Sequence, residues 1–216
     1  LAGREPRRPQ FRGAGERLDR LTIATAGHKS SPKHLMRLLI LMAALLSIFT
    51  RLFGAPEPAP RYKTAEVYDS LRAQILALKP DQIGVTKDEP VLAVLMETGY
   101  PEAVATLVSV VDGAASLYFS NGGGIIGGGE NPRPNAASKK LVRTAASFLK
   151  QLMKTEKTPL PKEGYTRFYL VTPSGVYSAE EKEDDLGEGR SELSPLFHTA
   201  HELISELRVI DEQRRS

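Results

Sequence analysis

Thirteen consecutive residues between Arg37 and Arg51, LLILMAALLSIFT, carry no charge, and the stiff segment Ala55-Pro56-Glu57-Pro58-Ala59-Pro60 follows within a few positions. Such a run limits its own fate to lipid, export machinery or a protein core. A helix rises about 1.5 Å per residue, so a hydrocarbon layer of roughly 30 Å takes about 20 residues to cross, with about 17 as the practical minimum. Extended from Met36 to Phe53 the segment reaches 18 residues, provided Arg37 and Arg51 snorkel to opposite headgroup layers. Residues 36–54 are therefore expected to form one hydrophobic helix that anchors the chain in membrane lipid. Two alternatives stay open: a secretory signal removed after export, and a buried or interfacial helix. As a signal the segment has a basic start and an apolar stretch, but Phe53 and Pro56 flank the best cleavage position, after Ala55.

Residues 1–35 hold eight Lys/Arg against three Asp/Glu, contain no methionine and show no apolar period. They read as a disordered basic leader, either untranslated, with Met36 as the start, or a tail on anionic lipid. Without them the chain has 21 basic and 23 acidic residues, so the high isoelectric point does not argue for nucleic acid. The absence of cysteine excludes disulfides, a lipoprotein anchor and thiolate metal sites. Basic residues on the two sides of the apolar run balance, which leaves orientation open.

After the spacer, residues 55–63, the stretch 64–212 suits one domain with a single packed core. Val67, Leu71, Ile75 and Leu78 repeat at helical spacing up to Pro80. Val91 to Glu97 is apolar on both faces and reads as a central strand. Val104–Val111 and Ala114–Phe119 flank Asp112-Gly113, which predicts a hairpin with a type I′ turn, and Asn121-Gly122 repeats the device before a short strand, Gly124 to Gly127. A long helix follows Pro134-Asn135, with Leu141, Ala145, Leu149 and Leu152 on one face. A hairpin of Thr166–Thr172 and Val176–Ala179 turns at Pro173-Ser174-Gly175. The last helix opens at Ser194-Pro195 and carries the stripe Leu196, Ala200, Leu203, Leu207. The expected fold is α+β, a mainly antiparallel sheet of about five strands with packed helices.

The strand and glycine turn from Ser116 to Gly129 resemble those of the roadblock and longin type of profilin-like domain, and the chain resembles small bacterial membrane-associated proteins. The first resemblance implies dimerisation and scaffolding of a small GTPase or another regulator, not catalysis. It covers only the part after the spacer.

Few residues suggest chemistry. Gly122-x-Gly124-x-x-Gly127 has the dinucleotide spacing, but it follows a hairpin strand and two prolines separate it from the next helix; Gly122, Gly123 and Gly124 are read as turn and packing glycines or as a loop that contacts a partner. Lys139, Arg143, Lys150 and Lys154 fall within about 60° on the middle helix, either a solvated face or a surface for anionic headgroups. His198 and His201 stand at i and i+3, and with Glu202, Asp184 or Asp185 could ligate one metal ion of a hydrolase; the plainer reading is a solvated pair beside a hydrated acidic loop. No catalytic set and no cofactor is indicated. The leading expectation is a membrane-tethered domain that binds a protein partner or a second copy of itself.

Overall fold

The computed structural model describes residues 62–215, Lys87 excepted. The apolar segment 36–54, its leader and most of the spacer lie outside these residues. Contacts divide the chain at Glu57/Pro58, and every described residue belongs to the second unit.

The order of elements is α1 (Glu66–Leu76), β1 (Ala93–Gly99), β2 (Val104–Val110), β3 (Ala115–Phe119), β4 (Gly124–Ile125), α2 (Pro132–Phe148), β5 (Met153–Thr155), β6 (Tyr165–Thr172), β7 (Gly175–Lys182), α3 (Glu183–Gly187) and α4 (Ser194–Arg215). The seven strands form one sheet in the order β4-β3-β2-β1-β6-β7-β5, with every neighbouring pair antiparallel. The α+β class and the antiparallel sheet agree with the expectation from sequence; the strand count is seven, not five. β1 is central, buried at every position, because its two faces serve two cores.

On one face Val94, Met96, Leu107, Leu117, Phe168 and Leu170 pack with Leu141, Val142 and Ala145 of α2 and with Leu196, Ala200, Leu203 and Leu207 of α4. On the other, Leu95, Val108, Tyr118, Tyr169 and Val171 pack with α1 through Tyr68, Leu71 and Ile75. The α1 stripe thus starts at Tyr68, and Val67, expected in it, is 59% exposed. An aromatic ring with a hydroxyl, able to bury its body and bond its tip, outcompetes valine for the inward position.

Four local expectations are corrected. The Asp112-Gly113 turn is a three-residue loop, not a two-residue one: the Gly113 amide donates to Val110 and the Val110 amide to Ala114, with Gly113 at φ 100°, the bulged hairpin that a glycine at its last position permits. The β3–β4 turn repeats it, Gly122 to Phe119 and Phe119 to Gly123. The middle helix ends at Phe148, not near Lys154; a 3₁₀ turn, Leu149–Gln151, leads to Leu152 at ψ 150°, and Met153–Thr155 pairs with β7. A free ladder edge on β7 overrides a helical apolar period that persists in sequence. The acidic loop after β7 contains a turn of helix, α3, closed by the Arg190 amide donating to Asp185.

α2 and α4 cross the strands side by side. Ser138 seats α2 at the Ser109 end of the strands, its hydroxyl sharing a hydrogen bond with Ser109 Oγ at 2.8 Å and donating to Ala114 O at 2.9 Å. Arg133 and Lys140 of α2 bond Glu206 and Glu202 of α4, so α4 lies toward the Phe119 end with its opposite flank free of α2.

Candidate functional site

A row of polar residues crosses five strands on the α1 face, residue opposite residue: Glu180, Arg167, Glu97, Thr106, Tyr118. α1 sets Tyr68 and Arg72, one turn apart, over it. Arg72 Nε and Nη2 donate to the two Glu97 oxygens at 2.6 and 2.9 Å, and Nη2 also to Thr158 O at 2.9 Å. Glu97 has no exposed surface. Tyr68 and Thr106 share a hydroxyl hydrogen bond of 3.0 Å, Arg167 donates to Glu180 at 2.6 and 3.0 Å, and Tyr169 donates to Pro159 O at 2.5 Å. The Tyr118 hydroxyl, also buried, has no hydrogen-bond partner among the described residues.

Burial pushes the Glu97 carboxyl up while Arg72 opposes it, and burial pushes the Tyr169 phenol up to about 12. Tyr68 and Tyr118 are raised for the same reason. A carboxylate clamped by a guanidinium and phenols held neutral form a structural network rather than an acid and base poised near neutrality. An open cleft of about 660 Å³ beside Arg72, lined also by Asp69, Thr155, Glu156 and Thr158, reaches the guanidinium but not Glu97.

A second concavity is different. A groove of about 520 Å³ runs between the free flank of α4 and the ends of β1 to β4. Tyr100, Leu117, Phe119, Gly124 and Ile125 line the sheet side; His201, Ile204, Arg208, Asp211 and Arg215 line the helix side. At 100° per residue these five fall on one face of α4, beside the core stripe. Phe119 is 39% and Tyr100 42% exposed. His201 stacks on Phe197 with 4.2 Å between ring centres; its Nε2 is buried without a partner among the described residues, and burial holds its pKa below the ordinary imidazole value.

The residues singled out from sequence are dispersed. His198 is exposed and His201 turns into the groove, while Glu202 is taken by Lys140. Asp185 is bonded by Arg190, Asp184 is exposed on α3, and no group of three His, Cys, Asp or Glu among the described residues is placed to hold a metal ion. Gly122 and Gly123 form the β3–β4 turn, and Gly124 is the one that reaches the groove. Of the basic set, Lys139 and Arg143 share α2, Lys150 falls in the 3₁₀ turn and Lys154 on β5, so no single helical face carries all four. Sequence reasoning misses the Arg72–Glu97 clamp because neither residue has a local partner; the only signal is a carboxylate, Glu97, closing an otherwise apolar strand.

No family model, no curated protein and no solved structure matches the chain. Among the described residues no helix is long and apolar enough to cross a membrane.

Proposed function

We propose that this chain is a membrane-tethered interaction domain without catalytic activity, in which residues 36–54 engage lipid and the α4 groove receives a protein partner. The observation that carries the reading is the groove itself. Tyr100 and Phe119, 42% and 39% exposed, and half-buried Ile204 line it over the core residues Leu117 and Ile125, and large, partly exposed apolar side chains at a concavity mark a contact surface rather than a solvated one. The strongest polar groups support the same reading, since Arg72, Glu97, Arg167 and Glu180 are committed to one another.

A photoreactive phenylalanine analogue at position 119 of the full chain in its native membranes is expected to yield a discrete cross-linked protein species, and the same analogue at position 139, on α2, is not. Absence of any adduct at 119 overturns the groove. The lipid half is tested apart from it: Leu45→Arg with Leu46→Arg should shift the chain from the pelleted membrane fraction to the supernatant, since each arginine near a helix centre costs about 2.5–3.5 kcal/mol of insertion. An unchanged pellet would remove lipid engagement by that segment.

A further inference from the structure

The groove lies within a longer strip of surface whose charges have a direction. At its α3 end, the hydroxyl of groove-lining Tyr100 donates to Glu183 at 3.3 Å, and Asp184 beside it is exposed. α3 sits against the start of α4, where Ser194 Oγ donates to Asp185 O at 3.4 Å. The middle of the strip is apolar, with exposed Phe119 and half-buried Ile204 and His201 over the buried Leu117 and Ile125. Its far end is basic: Arg208 is exposed and forms no ion pair among the described residues, and Arg215, 76% exposed, shares a 2.7 Å bond with Asp211. Along the strip the order is acid, grease, base.

Such an order is self-complementary. A two-fold axis through the apolar middle sets the acidic end of one copy on the basic end of the other, twice, which is the requirement for an isologous contact. A groove meant for a uniformly acidic or basic segment would carry one sign of charge along its length. From Ser194 to Arg215 the helix spans roughly 30 Å at 1.5 Å per residue, the scale of a patch of about 800 Å² per partner found in standard interfaces. The apolar middle would supply most of the affinity and the two charged ends the register.

Resting on the groove's role as a docking surface, we propose that the partner it receives is a second copy of this chain, joined about a two-fold axis that sets Asp184 and Glu183 of one copy against Arg208 of the other. The chain has no cysteine, so introduced thiols report without background. In full-length protein in its membranes, Asp184→Cys and Arg208→Cys chains expressed together should be joined by a short bismaleimide, while either variant alone should give little or no dimer. In detergent, Arg208→Glu should raise the dimer dissociation constant on the order of tenfold, and adding Asp184→Arg to it should restore dimerisation. These are surface substitutions, and an unchanged urea midpoint verifies that each variant is folded.

A wild-type chain that sediments as a monomer, or a charge reversal that is not rescued, overturns the two-fold contact. If position 119 still cross-links to a different protein, the groove's docking role survives its loss. If position 119 cross-links to nothing, both fall.

Discussion

Glu97 is ionisable, wholly enclosed, and bonded by one guanidinium through both oxygens. Removing a charge from water costs several kcal/mol, and the attraction to Arg72 recovers that cost only while both partners are present. Arg72→Met should therefore lower stability by about 3–5 kcal/mol, whereas Arg72→Met with Glu97→Leu should regain most of the loss, as read from urea unfolding. The sign of the pH dependence follows from burial. A carboxyl raised in the folded state binds its proton more tightly there than in the unfolded chain, so its contribution is full below the ordinary carboxylate range and declines as pH rises through the raised value. In Arg72→Met that decline should extend to higher pH, because the nearest cation opposing the rise is gone. His201 works in the reverse direction. Its folded pKa lies below the ordinary 6.5, so the unfolded chain takes up the proton first, and the stabilisation present above that value is lost as pH falls. His201→Leu should flatten the fall in urea midpoint between about pH 7 and 5; an unaltered slope would assign it to other groups.

At the scale of elements, the glycine-rich segment after β3 works by proximity. A Cβ on Gly128 would lie 2.0 Å from Leu207 Cδ2, and one on Gly129 2.3 Å from Gly113 O, so the segment lets α4 close over the sheet edge at a distance no side chain allows. Gly128→Ala should cost about 1–3 kcal/mol through overpacking, and Leu207→Val beside it should recover part, measured by thermal unfolding of both variants; additive losses would place the strain elsewhere. That the glycines serve packing is legible in sequence, because two prolines and a hairpin strand disqualify the dinucleotide alternative. Local periodicity also discloses β1, β2, β3, α2 and α4, whose apolar patterns run long enough to speak alone. What it does not disclose is decided by neighbours distant in sequence: β5 is a strand because β7 offers it an edge, and Val67 yields to Tyr68 because Thr106 waits across the sheet. The groove is hidden for the same reason. Only His201 and Gly124 among its lining residues stand out in sequence, His201 for a metal set that the structure does not assemble around it and Gly124 as a turn, packing or partner-contact glycine.

For the molecule as a whole, the sheet joins a local meander, β1 to β3, to a later hairpin, β6 and β7, through pairing of β1 with β6 across the intervening α2. α2 and α4 cover one face together, while among the described residues α1, eleven residues long, is the only named helix in the core of the other. Both cores draw on residues within 62–215, so that span should unfold cooperatively without the first 61 residues, at a urea midpoint close to that of the full chain in detergent. Removal of residues 62–78 as well is a different matter. It would uncover Leu95, Val108, Tyr118 and Tyr169 and strip Glu97 of Arg72 at once, leaving an apolar sheet face with an unpaired charge in its middle. Apolar surface of that extent is seldom tolerated on a soluble monomer, so the shorter form should bind a hydrophobic dye, elute as aggregate and lose amide protection along β1 and β6. A well-behaved monomer with native protection in those strands would mean that α1 is an accessory to the sheet, and that β1 and β6 hold without the Arg72–Glu97 clamp.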